Sequence, residues 1–280
     1  MNNVSIIISY KESHFNKNVN YKNYQNYRKF NIIKILEYIN DNLKYNTEIV
    51  IVEQDNKSTI DWLNNIKFNK NIEINHIFVK NDGVFNKGWG YNIGVNNCKY
   101  DNLIFQDGDI VVHKKAYEYI ELIDSKEFDV VKPYSSISYL NYINSHLFYT
   151  KELDFNKLSS MKTVTSGKDL GVLTGGSFFI RKSDYLKIKG FDENCYGYAH
   201  EDDIVDIKIK NFGLNIFYDD KYNCLHLYHF SGKNKFDVLN NYYSRIEENK
   251  KLYESIKKMN NIEFLEYIEK IKDFGKIKNI

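Results

Sequence analysis

The chain of 280 residues is short of the features that mark several protein classes. Three cysteines, Cys98, Cys195 and Cys224, form no C-x-x-C pair and leave an odd thiol, which argues against a disulfide framework and against a cysteine zinc site. There is one proline, Pro133, so no proline-rich linker divides the chain. Lysine and arginine at 39 against 37 acids leave a net charge of +2, which removes the bulk electrostatic case for a nucleic-acid binder. No apolar run reaches the ~20 residues needed to cross a bilayer. The start, Met1-Asn2-Asn3 running into an apolar stretch, lacks the basic region of a signal peptide. The expectation is a soluble protein of a reducing cytoplasm, bacterial or, for a viral protein, that of its host. Aromatics are plentiful, with 24 tyrosines and 18 phenylalanines, a bias that fits an AT-rich genome better than a dedicated stacking surface.

Short β-branched runs alternate with helical patterns through the first half. Val4–Ser9, Glu48–Glu53, Ile72–Val79 and Asn102–Gln106 read as buried strands. Ile32, Leu36, Ile39 and Leu43 recur at helical spacing over roughly 23–44, Ser58 is placed to cap a short helix, and a further helix is expected over about 86–97. The expected class is α/β, a mostly parallel Rossmann-like sheet flanked by helices. Residues 134–172 lack periodicity and read as a long loop covering a site. Strand, short helix and loop return at 173–200, followed by a helix from about 201 to 212 and strands near 214–218 and 222–228. From Asn234 onward the pattern is charged and helical. Residues 1–233 are read as one domain and 234–280 as a helical extension packed on it, with partner recruitment as the other role for that tail.

Ligands of parallel sheets sit beyond the carboxyl ends of strands, so the polar residues after each run carry the chemistry. Asp107-Gly108-Asp109 follows the fourth strand, and hard oxygen donors there suit Mg²⁺ or Mn²⁺ carrying a diphosphate. A solvated turn explains the same residues equally well. Tyr198-Ala199-His200-Glu201-Asp202-Asp203 places three acids at a helix start, where one or two complement the dipole and another is available as a general base. His226 and His229 would point to opposite faces of a regular strand, and share a metal only if the chain bends at Leu227-Tyr228. Gly88-Trp89-Gly90-Tyr91-Asn92-Ile93-Gly94 has its last glycine one position late for a dinucleotide fingerprint, so its glycines are assigned to close helix packing.

These segments, in this order, resemble the inverting glycosyltransferases of the GT-A fold, most of all the β-1,4-galactosyltransferase family. Phe85-Asn86-Lys87 with Asn92-Ile93-Gly94 resembles that family's F-N-R…N-x-G, and Asp107-Gly108-Asp109 its D-V-D. Gly175-Gly176 through Gly190-Phe191-Asp192-Glu193-Asn194 resembles G-G…N-G-F-x-N. Tyr198 to Asp203 falls on W-G-G-E-D-D, and His226 to His229 on M-x-x-H. The motif order spans residues 4–245. Chondroitin-polymerase-type and polypeptide N-acetylgalactosaminyltransferase domains are similar too.

The resemblance implies a metal-dependent inverting transferase moving a hexose or N-acetylhexosamine from a UDP-sugar to a hydroxyl of a glycan or glycoconjugate. UDP-Gal, UDP-GlcNAc, UDP-GalNAc and UDP-Glc are all open as donors. It implies Asp109, His226 and His229 as ligands of Mn²⁺ or Mg²⁺ and Asp202 as the catalytic base. Asp107, Ser9, Lys11 and Lys87 would bind the donor, Lys87 standing where the family has arginine and so losing the bidentate fork. Glu201, Asp203, Tyr198 and Gly176 would contact the acceptor or the transferred sugar. Tyr198 replaces a tryptophan, and Ala199-His200 replaces two glycines. The rival readings are a metal-dependent phosphoesterase and a non-catalytic sugar-binding protein.

Overall fold

The computed structural model describes residues 3–12, 27–152, 154–160, 176–229, 245–272 and 274–277. Strand β1 (Asn3–Tyr10), helix α1 (Tyr27–Asn42), β2 (Asn46–Asp55), β3 (Ile72–Lys80), α2 (Lys87–Asn97) and β4 (Asn102–Gln106) build the first half. Then come β5 (Ile110–Val112), α3 (Ile120–Asp124), β6 (Val130–Lys132), β7 (Ser136–Tyr139), α4 (Tyr142–Tyr149) and α5 (Phe155–Ser160). The rest is β8 (Ser177–Arg181), α6 (Lys182–Lys187), α7 (Glu201–Asn211), β9 (Ile216–Tyr218), β10 (Asn223–His226), α8 (Ile246–Lys258) and α9 (Asn261–Lys270).

A seven-stranded sheet has the order β3-β2-β1-β4-β8-β6-β9, and β5-β10-β7 form a second, three-stranded sheet. Strands β1 to β4 are mutually parallel, as the alternating pattern requires, whereas β8 runs antiparallel to β4 and β6. Period-2 alternation divides the core. Val4, Ile6 and Ile8 of β1 join Ile32, Ile35, Leu36 and Ile39 of α1 on one face. On the other face Ile7, Val50 and Val52 pack against Trp89 and Ile93 of α2. A third cluster joins α7, α8 and α9 through Cys195, Ile204, Ile256, Phe264 and Ile268.

The glycines of α2 let that helix lie on the sheet. A Cβ on Gly94 would come 2.3 Å from Cγ2 of Ile7, and one on Gly90 would come 2.0 Å from Oγ of Ser9. Close packing, not nucleotide contact, accounts for this glycine series.

Two expectations are corrected. Residues 134–172 are not a structureless loop: β7, α4 and α5 lie within them, and 161–172 fall outside the described residues. These elements run four to eight residues, too short for a period to show, and α4 is announced only by Asn141, whose side chain accepts from the Asn144 amide. Ser58 caps no helix. The 3₁₀ turn at Asp61–Asn65 follows Ile60 without a side-chain cap, and Ser58 instead donates to buried Glu53 at 2.7 Å.

The close approach of α2 to β1 is open to test. Gly94→Val is expected to lower stability by about 1–3 kcal/mol through overpacking, read as a fall in thermal midpoint. An unchanged midpoint would show that α2 can move off β1.

Candidate active site

Strand β4 delivers Asp107-Gly108-Asp109 to the sheet's carboxyl edge. The turn is rigid: Gln106 Nε2 donates to Ile110 O at 3.0 Å, Tyr117 donates to Gln106 Oε1 at 3.1 Å, and the Asp107 amide donates to Gly176 O at 2.6 Å. Gly176 has φ of +89°, and a Cβ there would lie 2.7 Å from Asp107 Oδ2, so only glycine permits this backing of the aspartate.

From this turn the two carboxylates meet different partners. Asp107 accepts a short hydrogen bond from the Tyr91 hydroxyl and lies 3.6 Å from the Lys87 ammonium. Asp109 faces His229, with Nε2 3.2 Å from Oδ2. Burial pushes Asp107 up to about 6, Lys87 opposing and Asp109 and Asp202 adding to the rise. Burial would raise Asp109 as well, but His226, His229, Arg28 and Lys87 outweigh it and hold its carboxyl below the usual range.

Lys87, at the first turn of α2, gathers the acids. Its ammonium is 2.8 Å from Asp202, 3.4 Å from Glu201 and 3.6 Å from Asp107. Burial works to deprotonate it, yet the three carboxylates raise it well above the ordinary lysine value, so it is a cation at neutral pH. Glu201 is raised, by burial first and by Asp202, with Lys87 opposing. Asp203 stands apart from this group, its Oδ2 2.8 Å from Nδ1 of His200.

The acids open α7 after an irregular turn. Gly197, Ala199 and His200 have φ of +83°, +79° and +71°, in the left-handed region. The resembling family carries glycine at the last two positions; here Ala199 and His200 adopt the conformation at about 1–2 kcal/mol each. Tyr198 between them is 39% exposed.

The metal-type cluster forms where β10 ends. Ligating atoms of Asp109, His226 and His229 all lie within 4.8 Å of one another. The bend expected at Leu227-Tyr228 is present and is held from three sides. The Leu227 amide donates to Asp109 O at 2.8 Å, the Tyr228 amide to Ser145 Oγ at 2.8 Å, and Asn31 Nδ2 to Tyr228 O at 3.2 Å. Nδ1 of His226 sits 3.0 Å from Leu227 O. A carbonyl only accepts, so Nδ1 carries the proton and the Nε2 lone pair is free to ligate. Two imidazoles and a carboxylate form a donor set for a divalent first-row transition metal.

Ser9 lies near the end of β1, against Gly90 of α2, and Lys11 follows the strand. Ser9 Oγ accepts from Gln54 at 3.1 Å, and Lys11 donates to Asn81 O at 2.5 Å. Burial lowers Lys11, opposed by Asp55 and Asp82. Sequence reasoning missed Tyr91, although it stands four residues after Lys87 on the same helix face. It also missed Asn31 and Ser145, which shape the histidine bend and leave no local signature.

Asp109→Ala is expected to weaken Mn²⁺ binding by more than the roughly 10–100-fold typical of losing an outer-shell partner. Calorimetry with Mn²⁺ alone measures it, and an unchanged affinity would place the ion elsewhere.

No protein-family model matches the chain, and no curated protein matches it in sequence. Solved structures do. The catalytic domain of Drosophila β1,4-galactosyltransferase 7, in complex with xylobiose, superposes with a TM-score of 0.52 at 11% identity, over 91% of this chain and 80% of that one. Staphylococcus aureus TarS gives 0.54 at 13% identity over 96% of this chain and 42% of that one. GalNAc-T7 with UDP, GalNAc and Mn²⁺ gives 0.53 at 13% identity, over 95% of this chain and 54% of that one. The chain thus spans most of the galactosyltransferase domain and about half or less of the other two. What these proteins share with it is the mixed sheet, mostly parallel and flanked by helices, and the chain has the GT-A fold of the glycosyltransferases.

Proposed function

We propose that the chain is a metal-dependent inverting glycosyltransferase that moves a hexose or N-acetylhexosamine from a UDP-sugar to a hydroxyl of a glycan or glycoconjugate. The observation that carries this is the junction of the Asp109–His226–His229 cluster with the Lys87-centred carboxylates, at the carboxyl edge of a GT-A sheet. Neighbours of the same fold are described in complex with UDP and Mn²⁺ and with UDP-GlcNAc, which supports a nucleotide-sugar donor.

Asp109, His226 and His229 would hold Mn²⁺ or Mg²⁺, which when bound neutralises charge on the departing diphosphate. Lys87 is the chain's own cation beside that charge. Its ammonium is shared among three carboxylates, and a diphosphate competes for it, which frees Asp202 to accept a proton. Asp202 takes that proton from the acceptor hydroxyl as the oxygen bonds to the anomeric carbon. UDP leaves from the opposite face with the bonding electron pair. One displacement with one base gives inversion and needs no covalent intermediate. Ser9, next to last in β1, and Lys11 just past the strand are assigned to the uridine side of the donor. Glu201, Asp203 and Tyr198 are assigned to the sugar and acceptor side, with Gly176 serving by its closeness to Asp107.

Asp202→Asn is expected to keep UDP–Mn²⁺ affinity while transfer falls by about 10²–10⁴-fold, the usual contribution of a general base. UDP release is followed across UDP-Gal, UDP-GlcNAc, UDP-GalNAc and UDP-Glc, with and without Mn²⁺, and unimpaired turnover in the variant would remove Asp202 from this role. Phosphate release without sugar transfer would instead identify a phosphoesterase.

A further inference from the structure

The turn that presents the acids is held from outside the sheet, by α8. Three residues spaced by four, Arg245, Asn249 and Tyr253, share one face of that segment and all touch residues 196–200. The Arg245 guanidinium lies over the Tyr196 ring at 4.2 Å, and the Tyr253 ring stacks on His200 at 4.7 Å with planes 6° apart. Between them Asn249, 1% exposed, aims its amide nitrogen at three carbonyls: Tyr196 O at 2.9 Å, Tyr198 O at 3.0 Å and Ala199 O at 3.2 Å. Two hydrogens serve three acceptors, so at least one is shared.

Asn249 is the side chain that gathers these carbonyls, Ala199 O accepting from the Cys195 thiol as well. A segment with Gly197, Ala199 and His200 in the left-handed region directs its carbonyls away from any helix ladder, and Asn249, itself buried, meets three of them. The amide is kept even though Asn249 Oδ1 is buried without a hydrogen-bond partner among the described residues. An apolar side chain would avoid that orphan oxygen, so the donated bonds are what the position supplies.

We infer that Asn249 is a positioning residue, which fixes the strained 197–200 turn so that Asp202 is presented to the substrate and which makes α8 part of the functional unit. This rests on the assignment of Asp202 made above. Without the donor the turn relaxes toward ordinary backbone, and the start of α7, two residues past Ala199, shifts with it. A shift of the base degrades attack geometry without touching the Asp109–His226–His229 cluster.

Asn249→Asp keeps the shape, removes the donor and faces three carbonyls with a charge; Asn249→Gln keeps a donor on a longer arm. In Asn249→Asp, kcat is expected to fall on the order of 10²-fold, the loss attached to small misplacements of a reacting group, with UDP–Mn²⁺ affinity unchanged. Asn249→Gln is expected to recover part of kcat. Hydrogen exchange should quicken at amides 198–203 in Asn249→Asp and stay unchanged in β1 and β4. Phe264→Leu, in the α7–α8–α9 cluster, controls for lost stability alone and should leave kcat near the wild-type value. Unchanged kcat in Asn249→Asp, or an equal loss in Phe264→Leu, would overturn the inference. Should the wild-type protein transfer no sugar from any UDP-sugar, the proposed function falls. The exchange rates then decide by themselves whether Asn249 holds the turn, and wild-type rates in Asn249→Asp would overturn it.

Discussion

A single buried cation makes the site possible. Asp107, Glu201 and Asp202 come from the end of β4 and the start of α7, and three carboxylates so close and so shielded from water would repel one another and protonate. Lys87 at 12% side-chain exposure lies within 3.6 Å of all three and lets them stay together. Removing one partner of such a group leaves charge uncompensated, which is far more damaging than the modest net worth of the intact arrangement. The placement of α2 therefore matters as much as the acids themselves, and that placement is set by Gly90 and Gly94 lying against Ser9 and Ile7.

The two halves of the site differ in how they are made rigid. The aspartate turn is braced from within the sheet by Gln106, Tyr117 and the backbone of Gly176. The histidine bend is braced by α1 and α4, through Asn31 and Ser145. The acid-bearing turn borrows its support from α8. Gln106, Asn31, Ser145 and Asn249 are polar side chains that satisfy backbone groups left over by irregular chain, so the price of non-repetitive geometry is met locally.

The first four strands and α1 and α2 were legible because long apolar runs carry a period that burial in a two-faced sheet demands. Boundaries that can be compared moved little: α2 spans Lys87–Asn97 and α1 ends at Asn42, residues 23–26 of the expected helix lying outside the described residues. Some short elements, β5, β7 and α4 among them, were missed because one or two turns give no period to read, whereas the equally short β9 and β10 were read near their places. For the site, residue chemistry at strand ends pointed to Asp107, Asp109, Glu201, Asp202, His226 and His229. That Asp107 and Asp109 look toward different partners was not readable, because a two-residue spacing says nothing about the turn between them. Ser58 misled for a related reason: a hydroxyl before a helix caps only if nothing nearer needs it, and buried Glu53 does. Asn249 had no signature at all, since its meaning lies in carbonyls some 50 residues away in sequence.

The order of the larger sheet also bears on how copies of the chain behave beside one another. Among the described residues its margins are β3 and the three-residue β9. An open margin is a template for a neighbour's backbone, and long apolar margins drive aggregation. Here β9 is too short to nucleate such pairing. Strand β3 carries Glu73 and Lys80 near its ends, with Lys99 bound to Glu73 at 2.5 Å. Among the described residues, charge marks the long flank and brevity the other, and each works against pairing with a strand of another molecule.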